Sequence, residues 1–375
     1  MKITTAGESH GKGLFAIIEG MPAGLEIDVE RINKELSRRQ SGYGRGARQS
    51  IERDEVEILS GVVNRKTTGS PITLAVWNRD YENWKDYLAP EGCNAERPLT
   101  QLRPGHADLA GAKKYNSADA RNISERASAR ETAVRVAVGA LCRLFLEQLK
   151  VWVTGYVRSV GEVQDGGEYT FDEIVSGRSD LLGMMAKDAE DAAQALIDRA
   201  KESGDTLGGV LELRVKGLKS GFGSCMTYTE KLDARLAAAI MSVQAIKGVE
   251  IGAGFESARM TGSKAHDEIF MQDGELTRRT NRAGGIEGGM SNGEEIVLRA
   301  AMKPLPTLKK GLSTVDLKTG EAALSAAERS DVCAVTACEQ VLESVVCAEI
   351  VKVFLERLGG DTMAEVSERY GRLKR

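Results

Sequence analysis

The sequence predicts a mixed α/β chain folded as one continuous domain around two buried helices. Three observations carry this. The stretches from Ser124 to Leu149 and from Val332 to Leu358 are apolar on most faces of a helix, the pattern of helices buried on most sides. Short apolar or alternating segments at 14–18, 54–61, 71–77, 151–163, 208–215 and 294–301 read as strands. No proline falls between Pro104 and Pro304, and no internal repeat, low-complexity tract or linker divides the chain. At about 150 residues per domain a chain of 375 residues has room for two or three domains. The lack of any divider favours one, spanning 1–375.

Composition narrows the classes further. Hydrophobic content of 42%, charged content of 28% and a mean hydropathy of -0.27 are those of a soluble globular protein. A net charge of -4 and a pI near 5.7 argue against a general binder of nucleic acid or membrane surfaces. The six cysteines form no CxxC pair, so reduced thiols in a cytosolic compartment are expected. The opening MKITTAGESHG has no apolar leader, and no apolar run reaches the roughly 18 residues of a membrane span, so the expected location is cytoplasmic.

Taken in order, Gly7-Glu-Ser-His10-Gly11 is a glycine-bracketed loop leading into the strand Leu14–Ile18 and a turn at 20–24. Asp28 caps a short helix on which Val29, Ile32 and Leu36 share a face. From Arg38 to Ile51 there are four arginines and no acid. A charge run is ordinarily a solvated face. The glycines interleaved around Arg45 instead allow a loop that folds its guanidinium groups around a small polyanion. Residues 78–105 are loop-like and deliver Arg103-Pro-Gly-His106-Ala-Asp108, so two of the chain's three histidines sit in tight polar loops. His266 has no such frame.

The central helix opens with Ser128-Ala-Arg-Glu131, read as a capping box, and leaves a thin polar stripe through Arg135, Gly139, Arg143 and Glu147. Arg126 and Arg130 flank its positive end, so residues 126–130 are expected to cradle a phosphate or carboxylate. Residues 165–206 are acidic and alanine-rich, with a helix near 188–202, and look like a peripheral excursion or interface element. A second apolar helix is expected over 232–246, stopped by Gly248, followed by a glycine-rich stretch at 249–292. Ser330 or Asp331 is a natural N-cap for the last long helix, although Arg329 has no capping role.

No Walker A string, HExxH, GxSxG or zinc-spaced cluster is present. What remains is arginine forks, histidines and glycine cradles, an inventory suited to a small molecule with several anionic groups. Spacing alone does not say which one.

The strings Gly7-Glu-Ser-His-Gly11 with Gly20-x-Pro22, Glu125-Arg-Ala-Ser-Ala-Arg-Glu-Thr-Ala133 and Arg329-Ser-Asp331, together with RPGHAD at 103–108 and SGYGRG at 41–46, resemble the chorismate synthase family over essentially the whole length. Phe15 and Ala127 are small departures from the family pattern. The resemblance implies a β-α-β sandwich with helices packed between antiparallel sheets, assembled as a homotetramer. It implies removal of phosphate and a hydrogen from 5-enolpyruvylshikimate 3-phosphate to give chorismate, with reduced FMN and no net redox change, the cofactor carrying the hard step.

By position, His10 is similar to the acid near the departing phosphate and His106 to the group that interacts with the flavin. Asp331 is similar to the group assisting the flavin nitrogen that accepts the substrate proton. Arg39, Arg45, Arg48, Arg103, Arg130 and Arg329 resemble residues that hold the substrate's anionic groups. Arg126, Ala127, Ser128, Gln244, Ala245, Gly288, Lys303, Pro304, Thr307 and Arg329 resemble the flavin contacts. No metal is implied. With no extra domain, the reduced flavin is expected from a separate NADPH-dependent reductase. The rivals are a bifunctional form that reduces its own flavin and, from another class, an anion-binding module, which the 5% aromatic content disfavours for nucleic acid.

Overall fold

In the computed structural model, residues 1–46, 53–92, 97–326 and 330–373 are described. Two antiparallel sheets enclose a layer of helices. The first contains β1 (Lys2–Ala6), β2 (Gly13–Glu19), β3 (Val56–Ser60) and β4 (Ile72–Trp77) in the order β1-β2-β4-β3. The second contains β5 (Trp152–Val160), β6 (Val163–Gln164), β7 (Gly209–Lys216), β8 (Ile246–Ile251) and β9 (Ile296–Met302) in the order β8-β9-β7-β5-β6. β2 follows the period of two that a half-buried sheet needs, whereas β5 is buried along nearly its whole length. Leu14, Ala16 and Ile18 of β2 point to the core, with Leu14 opposite Val76, while Leu211, Leu213 and Val215 of β7 do the same in the other sheet.

Among the described residues the longer helices are α1 (Val29–Gln40), α2 (Asp108–Lys114), α3 (Arg121–Ala127), α4 (Thr132–Gln148), α5 (Phe171–Gly177), α6 (Lys187–Glu202), α7 (Leu232–Met241), α8 (Val335–Leu358) and α9 (Met363–Arg372). α1, α4 and α8 pack on one another between the sheets, α4 against β2 and β4, α8 against β5 and β7. One apolar cluster runs through both sheets and this helical layer. The expected sandwich with buried helices is therefore what the chain forms.

Several expectations are corrected. Ser128 has extended backbone and breaks the predicted helix into α3, a single turn at Ala129–Glu131 and α4. There is no capping box. Ser128 Oγ accepts from Arg130 N rather than Glu131 N, and the Glu131 carboxylate turns away to accept from Thr5 Oγ1 at 3.1 Å. The polar stripe of α4 is not a solvent face either. Gly139 is buried where α4 crosses α8, and a Cβ there would lie 2.3 Å from Ser344 Cβ, so only glycine permits this approach. Arg143 is bonded inward to Glu343.

α7 ends at Met241, and Ile246 already belongs to β8, paired with β9. Sheet pairing has claimed the end of an apolar run whose period does not separate helix from strand. Residues 165–206 are no loose excursion. Ile197 of α6 is buried in the main core, Tyr43 N donates to Leu181 O, and Tyr43 Oη donates to Asp198 at 2.8 Å, so this segment backs the glycine–arginine loop. α8 starts at Val335 without a side-chain cap, which frees Asp331 from the capping role. Cys142, Cys225, Cys333, Cys338 and Cys347 are free thiols, as expected; Cys93 lies outside the described residues.

Candidate active site

α3 organises the site through two neighbouring side chains. Glu125, 3% exposed, faces the His10 loop: its carboxylate accepts from His10 N at 2.9 Å and lies 2.9 and 3.0 Å from His10 Nδ1, while its carbonyl accepts from Ser9 N. The other face of the arrangement is aromatic, since the His10 ring stacks on Trp84 with centroids 4.1 Å apart. Ser124, one residue earlier, accepts from Arg103 Nη2 at 2.6 Å. Arg103 in turn grips the fully buried Asp108 through Nε at 2.8 Å and Nη2 at 3.0 Å. Asp108 makes a short hydrogen bond with His106 Nδ1. Burial alone would raise the Asp108 carboxyl; hydrogen bonds from His106 and Arg103, with their charges, hold it well below the usual carboxylate range. Both loop histidines thus have their inner nitrogen on a buried carboxylate and are tied to consecutive residues of one helix turn.

A second network carries the arginines. Asn78 Nδ2 donates to Gly11 O at 2.8 Å and its Oδ1 accepts from Arg130 Nε at 2.9 Å, which joins the His10 loop to Arg130. Arg130 Nη1 and Arg39 Nη1 share one carboxylate oxygen of buried Asp54, at 2.7 and 3.4 Å. Arg39 is otherwise held by neutral acceptors, Thr132 Oγ1 and Ala129 O. Burial, with Arg130 and Arg45 alongside, lowers the Arg39 guanidinium to about 10 in spite of Asp54. Arg45 pairs with Asp331 at 2.9 Å, and Asp331 also accepts from Gly46 N at 2.6 Å. Arg45 Nε is buried with no hydrogen bond among the described residues. Arg45 and Gly46 of the arginine-rich loop are thus held by Asp331, which the family resemblance places with the flavin.

The remaining predicted residues form a looser set. Lys303 Nζ donates to Gly105 O at 2.9 Å and Lys303 N to Ala245 O at 2.9 Å, so the segment holding Pro304 and Thr307 lies beside the His106 loop. Burial, with Lys247 nearby, lowers the Lys303 ammonium. Gln244 Nε2 donates to Glu131 at 3.4 Å, while its Oε1 is buried with no hydrogen bond among the described residues. Arg126, on the last turn of α3 beside Ala127 and Ser128, reaches Thr5 Oγ1 at 3.2 Å. Gly288 is exposed in the turn between Ile286–Glu287 and Met290–Ser291 and takes no part in these networks. Arg48 and Arg329 lie outside the described residues.

The helix-end anion cradle expected at 126–130 is not built from backbone. Ser128 N donates to Ser124 O, Arg130 N to Ser128 Oγ and Glu131 N to Ser128 O, so those amides are consumed locally. A cavity of about 710 Å³ lies elsewhere, lined by Arg38, Arg143, Arg178, Trp152 and Phe171 among others, and contains none of the predicted site residues. Its arginines are already saturated by Glu339 and Glu343, which marks it as scaffold. Among the described residues no acidic or Cys/His cluster could hold a metal, and no helix is long and apolar enough to cross a membrane.

Glu125, Asp54, Asn78 and Trp84 were not singled out by the sequence. Glu125 lay in a quoted string and Asp108 in another, two residues from His106; Asp54 and Asn78 gave no signal.

The family model for chorismate synthase matches residues 1–355. The chain is 53% identical to chorismate synthase of Geobacter metallireducens, covering 99% of this chain and 97% of that one. It is 51% identical to chorismate synthase of Geobacter sulfurreducens, again over 99% and 97%. A crystal structure of chorismate synthase superposes with a TM-score of 0.79 at 40% identity, covering 99% of this chain and 96% of the other. The chain belongs to the chorismate synthase family and has chorismate synthase function.

Proposed function

We propose that the chain is a lyase that eliminates phosphate and a hydrogen from 5-enolpyruvylshikimate 3-phosphate, giving chorismate, with reduced FMN and no net redox change. The observation that carries this reading is the pair of imidazoles, His10 on Glu125 and His106 on Asp108, set beside the buried arginine group Arg39, Arg45 and Arg130. Arg39, Arg45 and Arg130 bind the substrate's anionic groups, joined by Arg48 and Arg329; Arg103 acts through Asp108 and His106. His10 Nε2 gives a proton to the departing phosphate. His106 would interact with the cofactor, and Asp331, held by Arg45 and Gly46, would assist the proton's removal.

The residues present fit a flavin. Gln244 Oε1, buried with no hydrogen bond among the described residues, can accept from a ring N–H, and Arg126, Ala127, Ser128, Ala245, Gly288, Lys303, Pro304, Thr307 and Arg329 would complete its hold. When bound, reduced FMN lends the electron density that loosens the phosphate and then recovers it. A separate NADPH-dependent reductase supplies it. The protein works in the cytoplasm as a homotetramer of single-domain chains; the exposed apolar side chains Phe255, Ile269, Met271 and Leu276 support self-association.

The test is anaerobic incubation with 5-enolpyruvylshikimate 3-phosphate. Chorismate is expected with chemically reduced FMN, none without it, and none with oxidised FMN plus NADPH. Turnover in the last case would mean an intrinsic reductase; no product from folded protein in any case would overturn the reading.

A further inference from the structure

A histidine on a glycine-bracketed loop has no intrinsic reason to keep its ring in one orientation. Here the ring is fixed from two sides. Both Glu125 carboxylate oxygens lie within 3.0 Å of Nδ1, and one of them also accepts from the His10 backbone N at 2.9 Å. A carboxylate can only accept, so the hydrogen resides on Nδ1 and the nitrogen that exchanges a proton is Nε2. One ring face is covered by Trp84, at 4.1 Å and an interplanar angle of 16°. Trp84 is itself steadied by the guanidinium groups of Arg97 at 4.4 Å and Arg121 at 5.4 Å, and Arg121 lies 3.9 Å from Glu125. Among the described residues, the charged groups around the ring and the Trp84 that covers it are thus Glu125, Asp80, Arg97 and Arg121. Asp80 is 3.9 Å from Nε2, beyond hydrogen-bond reach, so it does not take up that proton.

We infer that Glu125 and Trp84 are positioning residues that hold His10 with Nδ1 turned inward and Nε2 presented to the reacting phosphate. This rests on the reading of His10 as the acid of the elimination. Glu125 imposes the tautomer and Trp84 the plane. The cost of losing either falls on the proton-transfer step rather than on binding of the substrate, whose anionic groups are held by other residues.

The experiment compares His10→Ala, Glu125→Gln, Trp84→Ala, Trp84→Phe and the double variant His10→Ala/Glu125→Gln in the anaerobic assay with reduced FMN, after thermal melts establish that each folds. His10→Ala is expected to lower kcat about 100-fold or more. Glu125→Gln and Trp84→Ala are expected to lower kcat about 10-fold or more with KM within about 3-fold, and Trp84→Phe to restore most of it. Adding Glu125→Gln to His10→Ala should cost no more than about 2-fold further, since the effect passes through His10. The ¹⁵N shifts of the His10 ring should report hydrogen on Nδ1 in the wild type and a tautomer mixture in Glu125→Gln. If His10→Ala keeps normal kcat, the reading of His10 fails and takes the inference with it. If His10→Ala loses kcat while Glu125→Gln keeps it, or the two losses multiply, the positioning role alone is wrong.

Discussion

Arg38 and Arg39 are neighbours on the last turn of α1 and opposites in environment. Arg38 points to α8, where Glu343 and Glu339 accept it at 3.4 Å each, and Glu35 of α1 itself accepts it at 3.0 Å. Burial works to lower its guanidinium, but those carboxyls raise it above its ordinary value. Arg39 points the other way, to a single Asp54 that it shares with Arg130, and burial lowers it to about 10. The comparison separates two uses of buried arginine. One cluster, with Arg143 and Arg178 also on Glu343, is supplied with acids and holds the helices together. The other, Arg39, Arg45 and Arg130, converges among the described residues on Asp54 and Asp331, and it is the one read here as meeting an arriving anion.

Breaking the acid-rich cluster should have the largest effect. Arg143→Ala leaves Glu343 short of a buried partner and is expected to destabilise the fold by about 3–5 kcal/mol, read as a fall in the urea midpoint, while the folded fraction keeps its KM. Arg39→Lys touches the other cluster. It keeps the charge and loses the fork to Thr132, Asp54 and Ala129, so substrate affinity should fall about 10-fold or more with a much smaller change in urea midpoint.

The third test uses pH. Asp108, like Glu343, is a carboxyl held down by cations, here His106 and Arg103 against the pull of burial, from an ordinary value of 3.8. Its stabilisation is therefore full above that value and is lost as pH falls toward the folded-state value. Between pH 5 and pH 3 the loss should be about 1 kcal/mol, and Asp108→Asn should flatten that slope. The smallest effect sharpens the acid-rich side. Burial and the adjacent Glu343 raise the Glu339 carboxyl, so Glu339→Gln should cost less than about 1 kcal/mol, whereas Glu343→Gln, removing the carboxylate on which Arg38, Arg143 and Arg178 converge, should cost several times more.

Much of this was legible in the chain. The apolar faces of α4 and α8 announced the helical layer, and glycine-framed histidines with an acid-free arginine run announced the site. What stayed hidden were the partners. Glu125 is 115 residues from His10, and nothing local to either says they meet. Asp54 and Asn78 gain their meaning only when β3 and β4 bring them under Arg130. Gly139 read as part of a polar stripe because a period of four records its place on the helix and not the closeness of Ser344. The end of α7 was misread because an apolar run of helix and strand differs only in what it pairs with.

The central claim is that the Arg39 cluster binds the substrate and the Arg38 cluster does not. Equilibrium titration of 5-enolpyruvylshikimate 3-phosphate into wild type, Arg39→Lys and Arg38→Lys, at one ionic strength and with FMN present, tests it directly. Kd should rise about 10-fold or more for Arg39→Lys and stay within about 2-fold for Arg38→Lys. An unchanged Kd in Arg39→Lys, or equal losses in both, would contradict the account.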